Sequence, residues 1–111
     1  MEISWTDFEK VALRVGTIIE VADLAEARKP AYKLTIDFGP QIGILKSSAQ
    51  ITKRYQKEAL LQRQIVAVVN FPKKQIGKFM SECLVLGAVG REGDVVLLNT
   101  DFEVENGSRI A

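Results

Sequence analysis

The sequence predicts an all-β protein: a small barrel of five strands, with a helix between the third and fourth and short additions at both ends. Three observations carry this. Apolar residues alternate with a period of two in several separated runs, Gly and Pro punctuate those runs, and a stretch of helical period follows the third. The 111 residues have the length of one domain with one modest core. We expect a single unit, 1–111, with its barrel over about residues 12–88 and the N-terminal helix and 94–111 as extensions.

The elements follow in order. "TDFE", Thr6 to Glu9, has the form of a capping box and predicts a short helix with Phe8 and Trp5 on its buried side. From Leu13 the period becomes two: Leu13, Val15, Thr17, Ile19 and Val21 share a face opposite Arg14, Gly16, Ile18 and Glu20, and Gly16 predicts a bulge or coil. "DLAEARKPA" is a loop ended by Pro30. In "YKLTIDFG", Tyr32, Leu34, Ile36 and Phe38 point inward and Lys33, Thr35 and Asp37 outward. Gly39-Pro40 turns the chain, and "QIGILKSS" returns as the third strand. Ser47 or Ser48, beside Lys46, predicts the cap of a helix over "AQITKRYQKEAL", with Ile51 and Tyr55 four apart on its inner side. "QIVAVVNF" and "ECLVLGA" are the fourth and fifth strands, "DVVLLN" adds a short one, and the tail "ENGSRIA" is a candidate for another.

A helix inserted after the third of five strands is the layout of the OB-fold, a Greek-key barrel that binds oligonucleotides on the face of strands two and three, between the loops joining strands one to two and four to five. An SH3-like barrel lacks that helix. In this chain the first loop carries Arg28 and Lys29, and the second, "NFPKKQIGKFMSE", carries Lys73, Lys74 and Lys78. Lys33 and Lys46 project between them.

Charge points to the same surface. The chain is +1 overall, but Arg28 to Lys78 holds eleven Lys/Arg and two Asp/Glu, a net +9, against −8 for the remainder, which has four and twelve. Such segregation predicts a polyanion-binding surface, RNA above all, with Lys53 contributing. Lysines neutralise phosphates without reading sequence. Aromatic platforms for base stacking are few: Phe38 and Phe71 fit buried strand positions and Tyr55 the helix's inner face, leaving Phe79 and Tyr32. That shortage favours folded RNA over unwound strands.

Other chemistry is excluded. Without histidine there is no Ser-His or Cys-His pair and no imidazole metal site. The single Cys83 forms no internal disulfide and no zinc site, and reads as a buried hydrophobe. No phosphate-cradling Gly-Lys-Ser/Thr loop is present. We therefore expect no catalysis, cofactor or metal. No apolar run reaches membrane-span length, and "MEISWTDFEK" is not a signal peptide, so the expected location is the cytoplasm. "VVLL", Val95 to Leu98, is apolar on both faces and predicts, with Trp5 and Phe8, the interface of a homodimer.

"RVGTI", "AYKLTIDFG" and "NFPKKQIGKFMSE" resemble the tRNA-binding OB-fold domain family, found also as a C-terminal appendage of some methionyl-tRNA synthetases. "IGILKSSAQITKRY" and "GDVVLLN" resemble its small CsaA-type branch. The resemblance implies a dimeric OB-fold whose relatives bind tRNA by shape. CsaA-type members are described as export-related chaperones of unfolded preproteins. The expected RNA contacts are therefore Arg28, the lysines above and Ser81, and the alternative is a use of the groove for peptides, with Ile76 and Phe79 as candidate pocket residues. The chain departs from the family where Ser-x-Gly-Met becomes Ser81-Glu82-Cys83-Leu84 and Ser-Gly becomes Ser47-Ser48.

Overall fold

A computed structural model describes all 111 residues. The elements are α1 (Trp5–Glu9), β1 (Leu13–Asp23), β2 (Tyr32–Asp37), β3 (Ile44–Ala49), α2 (Lys57–Leu60), β4 (Gln64–Val68), β5 (Lys74–Ile76), β6 (Phe79–Ser81), β7 (Leu84–Val85), β8 (Gly87–Val89) and β9 (Val95–Leu97). Five strands form an antiparallel sheet in the order β3-β2-β1-β4-β7. It closes almost into a barrel where residues 81–83 meet β3. The Glu82 amide donates to the Lys46 carbonyl at 2.7 Å, and the Ser47 hydroxyl to the Cys83 carbonyl at 2.9 Å. This is the expected OB-type barrel.

The interior holds Ile18, Leu34, Ile36, Phe38, Leu60 and Ile65, all but fully buried. The alternation in β2 is as expected, with Tyr32 donating its hydroxyl to the Tyr55 carbonyl at 2.8 Å. On β1 the bulge falls between Ile18 and Glu20, so Gly16 and Ile18 face inward before it and Val21 after it. Gly16 answers a different need. A Cβ there would lie 2.7 Å from Ile36 and Phe38, so only glycine lets β1 pass this close to β2 and the Phe38 ring.

Four expectations need correction. The N-cap of α1 is Ser4 rather than Thr6: its hydroxyl accepts from the Asp7 amide at 3.0 Å, and Asp7 reaches back to the Ser4 amide at 3.1 Å. Trp5 consequently lies on the open side of a five-residue helix, 86% exposed, with Phe8 half-buried. The helix expected over 49–60 shrinks to Lys57–Leu60, because Ala49 pairs with Tyr32 in the sheet and Ser47 is spent on barrel closure instead of capping. Ile51 and Tyr55 still reach the core. The segment between β4 and β7 is no simple loop but a hairpin, β5–β6, turned at Gly77 with φ +60°.

At the C-terminal side β8 and β9 form a hairpin. Val95 and Leu97 pack against the core, Leu97 donating its amide to the Tyr55 hydroxyl at 3.0 Å, while Val96 and Leu98 stay exposed. The tail pairs with the start of β1, through the Gly107 amide to the Val15 carbonyl at 2.7 Å and a bridge between Arg14 and Arg109. No helix is long and apolar enough to cross a membrane.

Candidate nucleic-acid interface

The register of the sheet fixes which cations meet. Lys33 stands opposite Ser48, and Thr35 opposite Lys46. Partners across an antiparallel pair share a face, so Lys33 and Lys46 are diagonal neighbours on the outside of β2–β3, about 7–8 Å apart at the backbone. The Ser48 amide donates to the Ser81 hydroxyl oxygen at 3.3 Å, and Ser81 is the cross-strand partner of Lys74. A continuous ribbon, Lys33–Ser48–Ser81–Lys74, thus runs over β2, β3, β6 and β5. The expected contacts Lys33, Lys46, Lys74 and Ser81 all belong to this surface.

The two loops flanking it are held to each other. Phe79 is 7% exposed and packs with Leu24 and Ala31, and with the partly buried Ala27 and Ile76, in a small cluster apart from the main core. A Cβ on Gly77 would lie 2.8 Å from Glu26, which shows how tightly the hairpin turn abuts the β1–β2 loop. Arg28 and Lys29 are carried on that loop, and Lys78 follows Gly77 in the hairpin turn. Phe79 is therefore a brace, and its ring is available neither to a base nor to a peptide. Ile76 is likewise drawn into the brace. Tyr32 is buried.

The exposed ring beside the ribbon is Phe71. Strand β4 ends at Val68, and the Asn70 side chain ties the N-terminal segment, accepting from the Ala12 amide at 3.0 Å and donating to the Lys10 carbonyl at 2.7 Å. Phe71 emerges beyond the strand, 54% exposed, before Pro72. It lines a cleft of about 710 Å³ together with Leu84, Cys83, Ser48, Ser81, Lys73 and Lys74. The signal in the sequence was Asn70 and Pro72, both poor continuations of a central strand.

Of the eleven mid-chain cations, three have a carboxylate within 4.0 Å: Arg54 with Asp94, Lys57 with Asp23 at 2.9 Å, and Lys73 with Glu82 at 3.2 Å. The other eight have none. Arg63 lies over the Tyr55 ring, 5.3 Å from its centroid. Lys53 and Lys29 border a separate hollow of about 510 Å³ with Asp94 and Glu92. There a hydrogen bond from the Arg54 guanidinium holds the Asp94 carboxyl below its usual range. Lys53 therefore stands apart from the ribbon. Within the cleft lining, burial pushes the Cys83 thiol up to about 12. Two acids border the ribbon: Glu20, on β1 opposite Thr35 and so diagonal to Lys33, and Glu82. One oxygen of Glu82 meets Lys73 and the other accepts from the Lys46 amide at 3.0 Å.

The chain matches the family described as a putative tRNA binding domain over residues 13–109. It is 55% identical to the CsaA chaperone protein of Picrophilus torridus over 99% of this chain and 100% of that one, with a TM-score of 0.92. It is 50% identical to chaperone CsaA of Bacillus anthracis over 100% of both chains, with a TM-score of 0.93. Among curated proteins, the methionine–tRNA ligase of Pyrococcus abyssi is 37% identical over 99% of this chain, which spans 15% of that enzyme's length.

Proposed function

Because the chain belongs to the putative tRNA-binding domain family, we propose that it binds folded tRNA without catalysis, along the cationic ribbon of β2, β3 and the β5–β6 hairpin, reading shape rather than sequence. One observation carries the reading. Eight of eleven mid-chain cations lack a carboxylate within 4.0 Å, and Lys33, Lys46 and Lys74 are among them on one continuous surface. Unpaired ammonium groups attract phosphates and gain affinity from released counterions. Lys73 and Ser81 line the cleft, Arg28 and Lys78 are carried on the braced loops, and Lys29 and Lys53 border the separate hollow at the periphery. The test is a titration of the full chain with tRNA and with unstructured RNA of equal length over a salt series. Tighter binding of tRNA and a steep fall with salt are expected; equal binding, or no salt dependence, overturns the reading.

A second reading, a chaperone for unfolded preproteins linked to export, is supported by the likeness to CsaA chaperones and by the apolar wall of Phe71 and Leu84 in the cleft. Suppression of preprotein aggregation that is lost in Phe71→Ser and kept in Lys33→Ala/Lys46→Ala would favour it over RNA binding. Either reading is served by a homodimer joined through exposed Trp5, Val96 and Leu98, with Phe8 beside Trp5. Val95 and Leu97 would support that face from within. A dimer gives two cationic surfaces to one RNA, which raises avidity. Sedimentation of the intact chain and of Trp5→Ser/Leu98→Ser tests the assembly.

A further inference from the structure

We propose that the cleft at Phe71 is a nucleobase subsite: it takes one unpaired nucleotide of an otherwise folded RNA, the base stacked on Phe71 and the phosphate at Lys74. The inference rests on the RNA-binding reading and specifies how this part of the surface is used. Its ground is a combination of chemistries in one cleft of about 710 Å³. Part of the lining is apolar, Phe71 at 54% and Leu84 at 48% exposed. Other lining residues are polar. The Ser81 oxygen accepts from the Ser48 amide at 3.3 Å, so its hydroxyl proton is free to be donated. Gln75 spends one amide hydrogen on the Gly77 carbonyl at 3.0 Å and keeps its oxygen. Lys74 has no carboxylate within 4.0 Å.

Each simpler ligand leaves part of this unused. A phosphate alone would satisfy Lys74 and leave the ring wet, and an apolar side chain alone would cover the ring and strand the ammonium. A nucleotide presents a π-face, a polar edge and an anion at the required adjacency. An acidic apolar peptide shares some of these properties. Nucleic acid is favoured because the cleft continues into Lys33 and Lys46 through Ser48, a run of cations that a phosphodiester chain can follow and a short peptide cannot neutralise throughout. A single platform also fits the rest of the surface, which offers no second exposed ring along the ribbon and so suits a folded RNA with one residue turned out.

The experiment compares two pentaribonucleotides of equal charge, one with all bases and one abasic throughout, titrated into the full chain beside intact tRNA. The based oligonucleotide should bind roughly 5- to 100-fold more tightly, the range that stacking on one aromatic supplies. Phe71→Leu should abolish that ratio and Phe71→Tyr retain it, both with unchanged melting temperature since the ring is exposed. Lys74→Ala should weaken both oligonucleotides alike. Equal binding of the two by the unmodified chain, with tRNA still bound and salt-sensitive, overturns the subsite alone. Loss of tRNA binding itself overturns the wider reading with it. Phe71→Leu that abolishes binding of an acidic apolar peptide but leaves the base-dependent ratio intact also overturns it, assigning the cleft to peptide.

Discussion

Two hollows on this barrel are nearly equal in size and opposite in character. The cationic cleft holds about 710 Å³, and a second hollow of about 650 Å³ is lined by Thr17, Asp37, Gln62, Gln64, Asp101, Glu103 and Asn106 among others. Volume does not distinguish them; the sign of the charges left open does, carboxylate for Asp101 and Glu103 in the second hollow and ammonium for Lys74 in the cleft. In the second hollow much of the lining is already tied. The Thr17 hydroxyl donates to Asn106 at 2.7 Å, and Gln64 donates to the Val104 carbonyl at 2.7 Å while accepting its amide at 3.1 Å. That network fastens residues 99–108 across β1 and β4. In the cationic cleft Lys74 has no such partner, and along the ribbon Lys33 and Lys46 have none either. Polar groups that hold one another build structure, whereas ammonium groups left open attract an anion.

The sharpest way to break this contrast is to remove charge from each side in turn. Lys33→Ala/Lys46→Ala/Lys74→Ala should lower tRNA affinity by on the order of a hundredfold at moderate salt and flatten the log–log salt slope by roughly 2–3. Asp101→Asn/Glu103→Gln should leave the slope unchanged. Equal losses from both variants in filter-binding titrations would erase the distinction. Next in size is the brace. Phe79→Ala removes no charge, yet should cost about 3 kcal/mol in urea unfolding and weaken tRNA binding by letting the two cationic loops part. Phe79→Leu should recover most of both, and full retention of affinity by Phe79→Ala would show that the loops need no brace.

On the opposite side, Gln64→Ala should cost about 2 kcal/mol through the unpaired groups it leaves, with faster amide exchange confined to 99–108 and tRNA affinity intact. The smallest effect concerns the cleft lining. The folded chain keeps the Cys83 thiol proton to about pH 12, and the unfolded chain releases it near its ordinary value. The folded state therefore binds more protons between those limits. Stability from this group is complete below the unfolded value and declines as pH rises towards 12, by on the order of 1–2 kcal/mol at pH 10. Urea melts of the unmodified chain and of Cys83→Ala over pH 8 to 11 check this: the extra decline should vanish in the variant.

How much of this was legible before folding depended on range. The strands of the barrel followed from a period of two, because alternation is a local property, and β2 obeys it at every position. The cationic segment was legible as composition, and the topology then brought Lys33, Lys46 and Lys74 onto one face. The two phenylalanines of "NFPKKQIGKF" were exchanged in role, Phe71 emerging and Phe79 burying. Nothing local separates them; Phe79 is covered by Leu24 and Ala31, about fifty residues earlier in the chain. The helix over 49–60 failed for a similar reason. Ser47, a sound cap by its neighbours, pairs with Leu34 inside β3 and donates its hydroxyl to the distant Cys83 carbonyl.

Glu82, finally, already occupies Lys73 with a carboxylate where a phosphate would sit. Under the RNA-binding proposal an arriving phosphate would displace a resident anion at that position, so the contact would be an exchange rather than a gain, with the carboxylate returning on departure. A site furnished with its own substitute for the ligand favours brief occupancy and rapid turnover between successive molecules over permanent capture.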